Sequence, residues 1–165
     1  MLTAAKAFQE THQIVIAGAP NLPASFYQEF QLDENVTLIQ NQTYPLLSQA
    51  DLALVTSGTA TLETALFRVP QVVCYKSSAI SYRIAKALVK IKFISLVNLI
   101  MDKEVVRELI QQECQSELMI QELQKLRQGK EQRTEMLVAY DQLIALLGTE
   151  GCSEKMAVDL IQYLS

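Results

Sequence analysis

Short continuous apolar runs alternate along this chain with stretches whose apolar positions recur every three or four residues. The runs are 13–17 (QIVIA), 36–40 (VTLIQ), 52–56 (LALVT) and 71–75 (QVVCY). Runs of four or five such residues, bounded by turn signals, predict buried strands. Gly18-Ala19-Pro20-Asn21 supplies one of those turns. Between the runs, helical spacing predicts helices over 23–30, 44–50 and from about 59 to 68, the last stopped by Val69-Pro70. Residues 1–9 also read as helix, with no capping residue and no strand ahead of it. Strands alternating with helices predict βαβ units, hence an α/β domain with a parallel sheet covered on both faces.

The second half has a different rhythm. Ile80, Ile84, Ala87 and Leu88 keep helical spacing, and 93–97 (FISLV) predicts a last strand with Asn98 at its carboxyl end. A helix is predicted over 103–113, with Val105, Val106, Leu109 and Ile110 as its buried stripe. Three more helices follow at 116–127, 131–147 and 153–164, punctuated by Gly129 and by Gly148 to Gly151. The stripe Met136, Leu137, Tyr140, Leu143, Ile144 and Leu147 suits core or subunit contacts.

One stretch carries candidate chemistry. The run 52–56 leads into Ser57-Gly58-Thr59 and at once into an apolar-periodic segment. The pattern predicts a strand, a small-residue turn and a helix N-terminus, with the hydroxyls of the turn capping the helix. Gly58 permits a tight bend and a close ligand approach, having no Cβ. Free N–H groups and the positive end of the helix dipole suit a phosphate there. Glu63 stands about one turn further in, where a carboxylate can accept from two ribose hydroxyls. The same turn also occurs in α/β domains that bind nothing at it.

Composition narrows the function classes. The 165 residues suffice for one domain with a sizeable core, and half of them are hydrophobic against 19% charged, a globular balance. A formal charge of −4 argues against a general nucleic-acid binder. Neither a transmembrane run nor a secretory signal is visible. Cys74, Cys114 and Cys152 are distant in sequence and make neither a metal motif nor a disulfide framework; free thiols fit the cytosol. The single histidine, His12, reads as an exposed structural residue and not as a metal ligand. No nucleophilic triad, Walker A sequence or dinucleotide fingerprint is present. Between Glu63 and Asp102 lie six basic residues and no acidic one, leaving 8 basic against 18 acidic elsewhere. Within that run Arg83, Lys86 and Lys90 share a helix face. Such a face suits a diphosphate, anionic lipid headgroups or plain solvent.

Several blocks in order resemble the nucleotide-binding half of the lipid-A-disaccharide synthase family. They are Ser57 to Glu63 (SGTATLE), 69–75 (VPQVVCY), 82–90 (YRIAKALVK), 94–99 (ISLVNL) and 108–114 (ELIQQEC). The resemblance is firm over about residues 50–115. One departure is Val97, where the family has proline before the asparagine; the substitution is expected to loosen the turn that presents Asn98. The resemblance implies a GT-B glycosyltransferase that needs no metal or cofactor, with a Rossmann-like parallel sheet, flanking helices and a helical C-terminal tail. It implies transfer of diacylglucosamine from UDP-2,3-diacylglucosamine to 2,3-diacylglucosamine 1-phosphate (lipid X), giving lipid A disaccharide 1-phosphate and UDP. Ser57, Gly58, Thr59 and Ala60 would then serve the diphosphate, and Thr61 and Glu63 the nucleoside, with Asn98 at the same edge.

The resemblance also implies that residues 1–115 form an incomplete UDP-sugar-binding domain, with 116–165 packing on it or on a partner subunit. The family's acceptor-binding N-terminal domain, where the catalytic group is expected, and the first strand with its phosphate loop have no counterpart here. The chain alone is therefore expected to be inactive. It is further expected to sit peripherally at the cytoplasmic face of the anionic inner membrane of a Gram-negative bacterium. A homodimer is expected through the C-terminal helices or an exposed strand edge. The alternatives are another UDP-N-acetylglucosamine-dependent GT-B enzyme and a non-catalytic nucleotide-binding module.

Overall fold

The structure, a computed structural model, describes residues 1–28, 30, 34–77 and 92–148. The first half follows the predicted alternation. It runs α1 (Leu2–Lys6), β1 (Ile14–Gly18), α2 (Ala24–Gln28), β2 (Val36–Gln40), α3 (Thr43–Leu47), β3 (Ala53–Thr56), α4 (Thr59–Leu66) and β4 (Gln71–Tyr75). Then come α5 (Leu96–Met101), β5 (Arg107–Ile110), a 3-10 turn (Gln111–Glu113), α6 (Ser116–Lys125) and α7 (Glu131–Leu147). Gly129 takes a positive φ of 77° in the α6–α7 connection, a conformation open to a residue without Cβ.

Every strand pair is parallel, but the strands form two sheets: β1–β2, and β3–β4–β5. The expected single sheet is thus corrected. Among the described residues β1 bonds only β2 and β3 only β4, so no ladder joins the two sheets. Side chains bridge them instead, at the amino ends of the strands. Asp51, two residues before β3, meets His12, two residues before β1, at 3.2 Å. The other oxygen of the carboxylate accepts from Arg133 of α7 at 2.9 Å. Arg133 also donates to the main-chain oxygens of Asp51 and Leu126, both at 3.1 Å. Burial pushes the Asp51 carboxyl up, but hydrogen bonds from His12 and Gln128 and the charge of Arg133 prevail and hold it below its usual value. His12 is accordingly a tie between elements, with Nδ1 engaged by Thr11 Oγ1 at 2.8 Å.

The core is built on β4. Gln71, Val72, Val73 and Cys74 are all buried, as a central parallel strand covered on both faces requires. Around them pack Leu109 and Val106 near β5, Val97 of α5, Met119 and Leu123 of α6, and Met136, Tyr140 and Leu143 of α7. Ala4 and Phe8 close the cluster from the N-terminal segment. Of the predicted α7 stripe, Leu147 is exposed and Ala139 is buried in addition.

Two predictions for the 93–113 block are overturned. Residues 93–97 form no strand: Ser95 caps α5, accepting from the Asn98 N–H at 3.3 Å. The predicted helix over 103–113 is instead a turn, β5 and a 3-10 turn. Asn98 Oδ1 accepts from the N–H groups of Val105 and Val106 at 2.7 and 2.9 Å, which turns the chain into strand geometry. β-branched valines suit that geometry better than a helix. The predicted helix at 153–164 lies outside the described residues, as do Ile80, Ile84, Ala87 and Leu88.

Two predictions follow from the core. Gln71 Nε2 donates to Thr61 O at 2.9 Å and to the Tyr140 hydroxyl at 3.2 Å. Tyr140→Phe removes one acceptor and should cost about 1 kcal/mol, whereas Tyr140→Ala opens a cavity and should cost ~3–5 kcal/mol, both read by urea unfolding. Burial, then the neighbouring Cys114, pushes the Cys74 thiol up to about 12, and burial also raises the Tyr140 phenol. Both groups hold their protons more tightly folded than unfolded. Stability should therefore be full below about pH 9 and fall as pH rises toward about 12. Cys74→Val should flatten part of that fall in a pH series of unfolding curves.

Candidate functional site

β3 ends at Thr56, and the chain turns through Ser57 and Gly58 into α4 at the carboxyl edge of the three-stranded sheet. Ligands of open parallel sheets bind at that edge. Gly58 is the N-cap, at φ 142° and ψ −162°, in a region that L side chains rarely adopt, with no atom within 4 Å of where a Cβ would stand. The space over the turn is therefore open to a ligand. No side chain caps α4. Its first-turn N–H groups, at Thr59 and Ala60, have no intrahelical acceptor by position and carry the positive end of the dipole.

The predicted capping role of the hydroxyls is corrected. Ser57 stands one residue too early to cap, and its hydroxyl donates to Ile94 O at 2.9 Å. The Thr61 hydroxyl donates to Gly58 O at 2.8 Å, and the residue is fully buried, so in this conformation it fixes the turn from within. Thr59 is exposed. Glu63 is half-buried and makes no side-chain hydrogen bond or ion pair among the described residues. Its side chain leans toward the helix N-terminus, as helical side chains do, on the face shared with Thr59 and Ala60.

Asn98 lies deeper than expected. It is completely buried inside α5, and its amide is saturated. Nδ2 donates to Val106 O and to Glu108 Oε1, each at 2.8 Å, while Oδ1 takes the two valine N–H groups. Val97 is a buried first-turn residue of α5, where proline would also be tolerated because the N–H has no helical partner.

Sequence reasoning missed Glu108. It is buried on β5, and its carboxylate accepts from Ile94 N, Ser95 N, Ser95 Oγ and Asn98 Nδ2 at 2.7–2.9 Å. The available signal is an acidic residue set between the apolar pairs 105–106 and 109–110, since a charge buried there needs several hydrogen bonds. Gln111, next along the edge, takes a positive φ of 54° and engages Ser77 through both ends of its amide, at 3.0 and 3.3 Å.

The lipid-A-disaccharide synthetase family matches this chain over residues 2–161. A lipid-A-disaccharide synthase of Anaeromyxobacter dehalogenans is 33% identical across 98% of this chain and 44% of its own length. One from Psychromonas ingrahamii is 46% identical across 60% of this chain and 26% of its own, and one from Sodalis glossinidius 37% across 79% and 31%. The chain belongs to the lipid-A-disaccharide synthase family. It spans less than half the length of these relatives.

Within this family member the basic run divides. Arg68 pairs with Asp141 and Lys92 with Asp102. Arg83, Lys86 and Lys90 lie outside the described residues. Among the described residues no cluster of histidine, cysteine and acidic side chains suits a metal, and no helix is long and apolar enough to cross a membrane.

The Asn98 geometry gives a stability prediction. Asn98→Ala strands two backbone N–H groups and removes a donor from the Glu108 carboxylate. The loss should be ~2–4 kcal/mol in urea unfolding, well above an exposed control such as Val138→Ala within about 0.5 kcal/mol.

Proposed function

We propose that this chain is the donor-nucleotide-binding part of a lipid-A-disaccharide synthase, and that Ser57 to Glu63 hold the UDP of UDP-2,3-diacylglucosamine. The observation that carries the reading is the uncapped, open N-terminus of α4 at the carboxyl edge of the sheet, with an unpartnered carboxylate one turn along it. The N–H groups of Gly58, Thr59 and Ala60, with the Thr59 hydroxyl, face the diphosphate, and Glu63 accepts from the ribose hydroxyls.

In the transfer, a hydroxyl oxygen of lipid X bonds to the anomeric carbon of the donor sugar and gives its proton to a base. The bond from that carbon to the diphosphate oxygen breaks, and UDP leaves with the electron pair. Preorganised N–H donors at the α4 terminus stabilise the charge that grows on the departing diphosphate. The base belongs to no residue identified in this chain, so the chain by itself is proposed to bind donor without turnover. The basic residues Arg83, Lys86 and Lys90 are proposed to face anionic headgroups at the cytoplasmic side of the inner membrane. A homodimer through the C-terminal helices or a free strand edge fits the same reading.

Calorimetric titration tests the nucleotide assignment. UDP should bind about tenfold more tightly than UMP, and Glu63→Ala should weaken UDP about 10–100-fold through loss of charge-assisted hydrogen bonds. A folded sample to which UDP binds equally well with and without the Glu63 carboxylate would remove the site from residues 57–63.

A further inference from the structure

We infer that Glu108 is a positioning residue for the nucleotide turn, acting through Ile94 and Ser57. The proposal rests on the nucleotide reading above and adds a residue that touches no ligand. The chain of contacts is continuous. Glu108 Oε2 accepts the Ile94 N–H at 2.9 Å, and Oε1 accepts Ser95 N–H at 2.9 Å and Ser95 Oγ–H at 2.7 Å. The carbonyl of the same Ile94 accepts the Ser57 hydroxyl at 2.9 Å. One end of Ile94 is thus held from β5 and the other holds the residue before Gly58.

Such bracing answers a physical need. Gly58 has an open Cβ side and a φ of 142°, and α4 has no side-chain cap; Thr61 holds the Gly58 carbonyl from the helix side, and the Ser57 side of the turn needs a hold of its own. A glycine turn left to itself has more conformations than any other. Donors stabilise a diphosphate well only if they are already aimed before it arrives. The Ser57–Ile94 bond supplies the aim, and Glu108 makes Ile94 rigid enough to serve. Four donors on one buried carboxylate are enough to fix a loop, and charged acceptors form the stronger hydrogen bonds.

The test compares wild type, Glu108→Gln, Ser57→Ala and the double variant of the full chain. The glutamine is isosteric, but its NH2 must face at least one of the N–H groups that the carboxylate now accepts. Without ligand, the backbone N–H order parameters of Gly58 and Thr59 should fall in each single variant, from about 0.85 to below about 0.6. With ligand, UDP should bind about 3–30-fold more weakly in each, while uridine, which lacks the diphosphate, should change less than twofold. The double variant should be no weaker than the poorer single one, because both break one path.

Equal losses for UDP and uridine would make Glu108 a purely structural residue and overturn the proposal, and so would additive losses in the double variant. Should Glu108→Gln not fold, unchanged order parameters at Gly58 and Thr59 in Ser57→Ala overturn it equally. Failure of wild type to bind UDP would sink the nucleotide reading instead, and the ligand-free order parameters would still decide whether Glu108 braces the turn.

Discussion

A central strand buried on both faces imposes the constraint from which much of this structure follows. β4 bonds β3 on one side and β5 on the other, with no water to take up polar groups along it. Gln71 opens that strand, fully buried, so its amide must be answered from above and below. Thr61 O of α4 and the Tyr140 hydroxyl of α7 answer its N–H groups, while Gln71 Oε1 finds no partner among the described residues. A buried polar group left open costs stability, but the same group ties two helices to one strand. The helix that follows the candidate glycine turn is therefore docked by a side chain of the strand behind it.

The smaller sheet obeys a different rule. β1 and β2 contribute less to the main core, and their attachment depends on Asp51, His12 and Arg133 at the amino ends of the strands. Asp51 and Arg133 are half-buried, so their link is stronger than a surface pair, and among the described residues no ladder joins the two sheets. The candidate site and the attachment chemistry stand at opposite ends of the strands.

Local pattern was enough for most of the first half. The four apolar runs became strands within a residue or so, and the strand, turn and helix around Gly58 formed where predicted. The block from 93 to 113 was misread because its conformation is set by side chains distant in sequence. Asn98 reaches seven and eight residues ahead to end one element and start another, and Glu108 reaches fourteen back to hold the loop before it. Period counting cannot see such bonds. Val105, Val106, Leu109 and Ile110 satisfy helical spacing and strand propensity alike, and the buried asparagine and glutamate decide between them. Cys74 and Cys114, forty residues apart, likewise come together only because Leu109 pairs with Cys74 in register and its carbonyl accepts the Cys114 thiol at 3.1 Å.

The same bonds change what the candidate site is made of. Sequence alone offers a set of polar side chains: Ser57, Thr59, Thr61, Glu63 and Asn98. Three of those have their donors committed within the protein, Ser57 to Ile94, Thr61 to Gly58 and Asn98 to Val106 and Glu108. What remains facing outward is mostly backbone N–H, one hydroxyl and one carboxylate. Backbone donors cannot rotate to follow a ligand, so their worth depends on the turn being aimed beforehand. The internal hydroxyls and amides are therefore not lost to binding. They hold the glycine turn against its own freedom, and a site built this way trades side-chain contacts for rigidity.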